Sequence, residues 1–175
     1  MVKIDEIDRE IVNLLMEDGR MNAAEMARRL EENISERAIR YRIHRMLEEH
    51  IIHISAVVNP RSLGYQVIAD VFIEVEPGQT NLVAQRLAEH ESISYVACSI
   101  GERDISAQVI ARDNAEVYAI VTNFIGNLHG VRKLTTSIVP LTMKDVYDWR
   151  IPQEACQPGT AQAEPSPNTT VDIDY

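Results

Sequence analysis

The stretch SERAIRYRIHRMLEE, residues 35–49, decides the reading of this chain. Ser35 is a strong N-cap residue, because its hydroxyl takes up a backbone amide left free at a helix start. At about 100° per residue, Ile39, Ile43, Met46 and Leu47 fall on one side as a core-facing stripe. Arg37, Tyr41, His44 and Arg45 fall on the other, with Arg40 and Arg42 on the flanks. A helix anchored by one face and offering Arg and Tyr on the other fits a DNA major groove, where arginine meets guanine edges and phosphates. A surface helix with solvated arginines satisfies the same pattern.

The residues before it favour the first reading. Ile4, Ile7, Ile11, Leu14 and Leu15 recur at helical spacing over residues 5–17, closed by Asp18 and Gly19. A second helix starts at Asn22, its N-cap, and carries Ala23, Met26, Ala27 and Leu30. The turn Glu31-Glu32-Asn33 then leads into the arginine helix. Two short helices joined by a tight turn, the second basic on its outer side, make a helix-turn-helix. The first helix adds apolar surface that two helices alone lack. The pattern predicts that Ser35, Arg37, Arg40, Tyr41, Arg42, His44 and Arg45 face double-stranded DNA, with Arg28 and Arg29 reaching phosphates. Two such helices in a dimer would read half-sites about one helical turn apart.

At 175 residues the chain fits one large or two small domains. No stretch approaches the ~20 apolar residues of a membrane helix, so no membrane partner is expected. The start, MVKIDEIDRE, is charged and helical, unlike a secretory leader. Cys98 and Cys156 lack metal or redox spacing and the five histidines are scattered, so neither a metal nor a cofactor is expected. The cysteines read as reduced thiols in a cytoplasm, with a disulfide the other option. The net charge of −10 argues against a generic nucleic-acid coat. Even residues 1–60 hold 9 Lys/Arg against 12 Asp/Glu. Affinity for DNA must therefore come from the local arginine face, be salt-sensitive, and gain from pairing two faces.

Residues 51–58 read as a β-rich connector ending at Asn59-Pro60. Beyond it the rhythm changes to a strand at 67–75, a helix at 81–89, strands at 94–100 and 105–111, a helix at 114–128 and a strand at 131–141. The order βαββαβ predicts a ferredoxin-like antiparallel sheet with both helices on one face. The bare face then needs a second subunit, and the alternation of Leu134, Thr136, Ile138 and Pro140 against Thr135, Ser137 and Val139 gives that face something to bury. The predicted architecture is α+β: a winged-type helix-turn-helix at 1–51, a β connector at 52–64, a ferredoxin-like domain at 65–145 and an extension at 146–175. Residues 152–170 are rich in Pro, Gln, Ala, Ser and Thr, so the extension is expected to be mobile from about 152, with Tyr147 and Trp149 docking on the sheet domain or a partner chain.

Five segments in this order carry a family resemblance: IDEIDREIVNLLMEDGR, AIRYRI, VVNPRSLGY, IGERD and VRKLTTSIV. Together they resemble the Lrp/AsnC family of feast/famine regulators over nearly all of residues 2–145. The resemblance implies a transcription regulator whose sheet domain forms dimers and higher homo-oligomers and senses a small molecule, usually an amino acid. Three positions depart from the family pattern. The turn at 31–33 is about two residues longer than the usual single glycine, His50 replaces a glycine after the arginine helix, and Arg103 replaces an aromatic residue in the Gly-x-x-Asp turn. A non-glycine residue at a left-handed position carries strain, although His is among the tolerated types.

An amino-acid effector needs donors for its carboxylate and acceptors for its ammonium. Backbone around Gly101 can supply the donors, Asp104 the acceptor, and Ser99, Thr136 and Ser137 neutral hydroxyls. Arg103 can accept a second carboxylate, or pair on the surface with Glu102 or Asp113. The competing reading makes Gly101–Asp104 a plain hairpin turn capped by Asp104. Two other functions stay in view: an architectural DNA-binding protein without an effector, and a haem-pathway decarboxylase, whose relatives resemble this family. The second would need convergent His or Arg groups, which the spacing does not supply.

Overall fold

The computed structural model describes residues 3–30 and 34–157. It divides into one unit built from the chain before Val57 and after Met143, and a second spanning Val57–Met143. The turn at 31–33, whose length departs from the family pattern, lies outside the described residues, as does the tail beyond 157.

The first unit holds α1 (Glu6–Glu17), α2 (Ala23–Arg29) and α3 (Glu36–Glu48). Each starts on a side-chain cap of the residue before it. Asp5, Asn22 and Ser35 accept the amides of Asp8, Glu25 and Ala38. At α1 the bond is reciprocal, because the Asp8 carboxylate takes the Asp5 N–H at 3.1 Å. Ile11, Met26, Ile39 and Met46 form the fully buried centre, flanked by Ile7, Leu15, Ala27 and Ile43. The chain leaves α3 through His50 at φ +55°, while the Ile51 amide closes back on the Met46 carbonyl at 2.8 Å. The left-handed exit expected of a glycine is thus made by a histidine.

Two expectations fail here. Residues 52–59 form no strand, because no neighbouring strand pairs with them in the chain, and no wing hairpin follows α3 among the described residues. The extension is not free from 152. Ile151 packs on the helical core, and the Gln157 N–H donates to the Ile4 carbonyl at 2.9 Å. The apolar cluster around α1 thus holds a segment that composition alone would leave mobile. Tyr147 and Trp149 remain 64% and 61% exposed.

The second unit runs β1 (Val67–Val75), α4 (Thr80–Ala88), β2 (Ile93–Cys98), β3 (Ile105–Ala111), α5 (Asn114–Ala119) and β4 (Val131–Val139). All pairings are antiparallel, in the order β2-β3-β1-β4 of a ferredoxin-like sheet. The predicted last helix is compound, since α5 widens into a π-turn over Ile120–Phe124 and closes as a 3₁₀ turn. Ala69, Val71 and Ile73 of β1 and Ile105, Ala107 and Val109 of β3 line the buried face beneath α4 and α5. Register places Leu134, Thr136 and Ile138 opposite Ile73, Val71 and Ala69, on that same face. The bare face therefore carries Thr135, Ser137 and Val139 beside Ile68, Phe72 and Ile110. Cys98 and Cys156 are free thiols.

Candidate nucleic-acid interface and ligand cleft

On α3 the arginines divide into two classes. Arg37 and Arg40 point to solvent, as do Ser35 and Tyr41, with His44 half-buried beside them. Among the described residues Arg40 is held by an exposed pair to Glu36 at 2.8 Å, and His44 Nε2 sits 3.2 Å from Glu48. Such i,i+4 pairs contribute about 0.3–0.5 kcal/mol and are easily exchanged for a phosphate. Arg37 and Arg28 make no ion pair with any other described residue, whereas Arg29 reaches Glu17 at 2.8 Å.

Arg42 and Arg45 turn the other way, which corrects their placement on the DNA side. Arg42 Nη1 lies 2.8 Å from Asp5 and 2.7 Å from Asp8, and Arg45 Nη2 lies 2.5 Å from Asp8. Their side chains are 11% and 14% exposed, and Asp8 only 1%. A helical wheel built on apolar residues gave these cations no reason to face inward; the buried acid supplies it. Burial raises the Asp5 carboxyl, but the Asp8 amide and the Arg42 guanidinium outweigh it and hold the group below its ordinary range. The signal was present in the sequence: Asp5 and Asp8, three apart on α1, match Arg42 and Arg45, three apart on α3.

The ligand expectations converge in part. A cleft of about 390 Å³ is lined by Phe72, Ser99, Ile100, Gly101, Glu102, Arg103 and Ser106. Ser99, Gly101 and Arg103 thus meet, while Thr136 and Ser137 are not among the lining residues. Asp104 is engaged elsewhere. Its carboxylate accepts the Val75 N–H at 2.8 Å, its N–H donates to the Ile73 carbonyl and its carbonyl accepts the Ser99 N–H, so its side chain ties the start of β3 to the end of β1. Arg103 makes neither expected surface pair. Its guanidinium carbon stands 4.2 Å from the centre of the Phe72 ring, a cation–π contact that holds the charge at the cleft wall. Asp113, its supposed partner, caps α5 instead. Phe72 and Ser106 were missed because only the β1–β3 register, which pairs them directly, brings them beside the turn.

Among the described residues no cluster of His, Cys, Asp or Glu is arranged to hold a metal ion, and no helix is long and apolar enough to cross a membrane. The AsnC-type helix-turn-helix domain matches residues 4–47, and the Lrp/AsnC ligand binding domain matches residues 68–148. An HTH-type transcriptional regulator of Pyrococcus abyssi is 35% identical over 147 residues, covering 83% of this chain and 92% of that protein. The HTH-type transcriptional regulator LrpA of Pyrococcus horikoshii is 34% identical over 137 residues, 78% of this chain and 96% of its own. Among solved structures, AsnC of E. coli superposes with a TM-score of 0.76 at 23% identity, covering 83% of this chain and 99% of that one. A transcriptional regulator of Neisseria meningitidis in complex with L-Met gives 0.75 at 20% identity, over 82% and 94%.

Proposed function

The chain belongs to the Lrp/AsnC family of transcriptional regulators, and from that premise we propose that α3 reads DNA while the cleft beside Gly101 senses a small carboxylate-bearing metabolite. The observation that carries the DNA half is the division of labour on α3. Arg42 and Arg45 lock the helix to α1, and Ser35, Arg37, Arg40, Tyr41 and His44 remain outside to meet a major groove. Arg28 and Arg29 on α2 serve the flanking phosphates.

The effector half rests on Arg103. A cation steered by Phe72 into a cleft with two serine hydroxyls and the Gly101 backbone suits a carboxylate, and Glu102 suits an ammonium group. A relative's complex with L-Met supports the amino-acid class. Assembly uses the bare sheet face, where Ile68, Phe72, Ile110 and Val139 need cover; effector binding shifts that assembly and so the number of α3 helices engaged together. The chain acts by binding in the cytoplasm, without catalysing a reaction.

Fluorescence anisotropy tests the DNA half, using a duplex from the region upstream of the chain's own gene against a scrambled duplex at two salt concentrations. Preferential, salt-sensitive binding is expected, and equal binding to both duplexes would remove sequence-specific reading. A thermal-shift panel of amino acids tests the effector half, since a ligand selective for the native state raises the melting temperature with its concentration.

A further inference from the structure

We infer that residues 150–157, which lie beyond both matched domains, are a strap of the DNA-binding unit, and that Ile151 and Gln157 position the recognition helix through the start of α1. The helix-turn-helix match ends at residue 47 and the ligand-domain match at 148, so neither accounts for this segment. After β4 the chain returns to the helical unit. Arg150 donates to the Asn13 side chain at 3.3 Å, and Ile151 joins the apolar cluster of Ile7, Ile11 and Leu15. Pro152 opens a single 3₁₀ turn over Gln153–Ala155. The Cys156 thiol lies against the Glu6 carboxylate, and the Gln157 N–H closes on the Ile4 carbonyl at 2.9 Å.

The place where the strap ends matters. Ile4 directly precedes Asp5, whose carboxylate caps α1 and takes Arg42 at 2.8 Å. Asp8, one turn further, takes both Arg42 and Arg45 of α3. A continuous run of contacts therefore passes from Gln157 and Ile151 to the first turn of α1, then through two carboxylates to two arginines on the recognition helix. Releasing the strap frees residues 3–5 at the N-terminal end of α1. The N-cap then frays, and Asp5 and Asp8 no longer hold Arg42 and Arg45 in one geometry. The outward residues of α3 inherit that freedom, and DNA must order them at a cost in affinity. Among the described residues no hydrogen bond or ion pair joins the strap to an outward residue of α3, so its contribution is placement.

The experiment compares the full chain with Ile151→Asp, Gln157→Pro and Ile151→Val. Each binds a 30-base-pair random duplex at low salt and the upstream duplex, at a temperature well below every melting point. Hydrogen exchange is read at residues 4–9 and 36–48, and mass by light scattering. Ile151→Asp is expected to weaken DNA binding about tenfold, and Gln157→Pro, which removes the N–H that donates to Ile4, about threefold. Both should speed exchange at residues 4–9 and in α3 at constant mass, and Ile151→Val should restore both readouts. Unchanged affinity and exchange would overturn the inference. So would an unfolded Ile151→Asp beside a Gln157→Pro that binds DNA normally, because the segment would then be core packing only. A loss of affinity accompanied by a loss of mass would assign the effect to assembly and overturn it equally.

Discussion

Asp8→Ala is the most exacting test of the helical unit. Asp8 is 1% exposed and receives Arg42 at 2.7 Å and Arg45 at 2.5 Å, and it also takes the Asp5 amide at 3.1 Å. Removing one partner of a buried ion pair costs about 3–5 kcal/mol, because the remaining charge stays desolvated without compensation. Here the two guanidiniums keep 11% and 14% exposure, and Arg42 retains Asp5 at 2.8 Å, which places the loss at the lower end. A loss of about 3 kcal/mol corresponds to a more than hundredfold rise in the open population. Native-state hydrogen exchange at the Ile11 and Ile39 amides of the full chain should therefore accelerate by about that factor. Exchange in β1 and β3 should not change. Acceleration below about threefold would refute the claim that this cluster fastens α3 to α1. Replacing Asp8, Arg42 and Arg45 together by Leu, Met and Met should recover most of the loss, since a well-packed apolar substitute commonly matches a buried ion cluster in stability.

Four further outcomes follow from the same geometry. Arg37→Ala should weaken DNA binding at unchanged mass and flatten the slope of log affinity against log salt by about 1, whereas Arg45→Ala should lower the melting temperature. Arg103→Ala should abolish the thermal shift given by acidic ligands such as aspartate or glutamate; an undiminished shift would move recognition away from the Phe72 wall. The Asp5 carboxyl is held below its ordinary 3.8, so its share of stability is present above that pH and disappears as pH falls through the lower folded value. Protection factors at residues 5–9, which remove the pH dependence of intrinsic amide exchange, should stay flat from neutrality to about pH 4 and fall below it. His50→Gly relieves the φ +55° position and should stabilise the helical unit by about 1 kcal/mol, read as a rise of several degrees in melting temperature.

The sequence predicted elements more reliably than side-chain direction. The bounds of β1 and β3 and the caps Asn22 and Ser35 fall where periodicity and cap chemistry put them, because these are local signals. Arg42 and Arg45 were misplaced because their orientation is set by Asp8, which lies 34 and 37 residues earlier. The connector failed as a strand for a related reason. Val57 and Val58 have β propensity, but a strand exists only where another backbone lies alongside. In the cleft, Ser99, Gly101 and Arg103 belong to one turn and could be read together. Phe72 and Ser106 come from two strands whose register no local pattern reveals. Ile151 is one apolar residue beside a polar tail, and its burial depends wholly on the surface it meets.

The inward turn of two arginines also bears on how an acidic regulator holds DNA at all. With Arg42 and Arg45 committed to Asp5 and Asp8, α2 and the outer side of α3 keep four arginines for phosphates or bases: Arg28, Arg29, Arg37 and Arg40. Two of these must first leave Glu17 and Glu36. Four phosphate contacts give a salt slope of about −3.6, and two units acting together about −7. A single unit of this charge would bind weakly at physiological salt, since each released counterion contributes less as the salt concentration rises. Joining two units makes the second engagement intramolecular, and joint affinity then exceeds either alone by factors of about 10²–10⁴. Under the proposed function a weak single unit would make regulation possible, because a cleft ligand that altered assembly would change occupancy steeply where no one helix sufficed by itself. The ion cluster that withdraws two cations from the outer side of α3 therefore fastens that helix to α1, and on the proposed reading it would also make DNA binding depend on assembly.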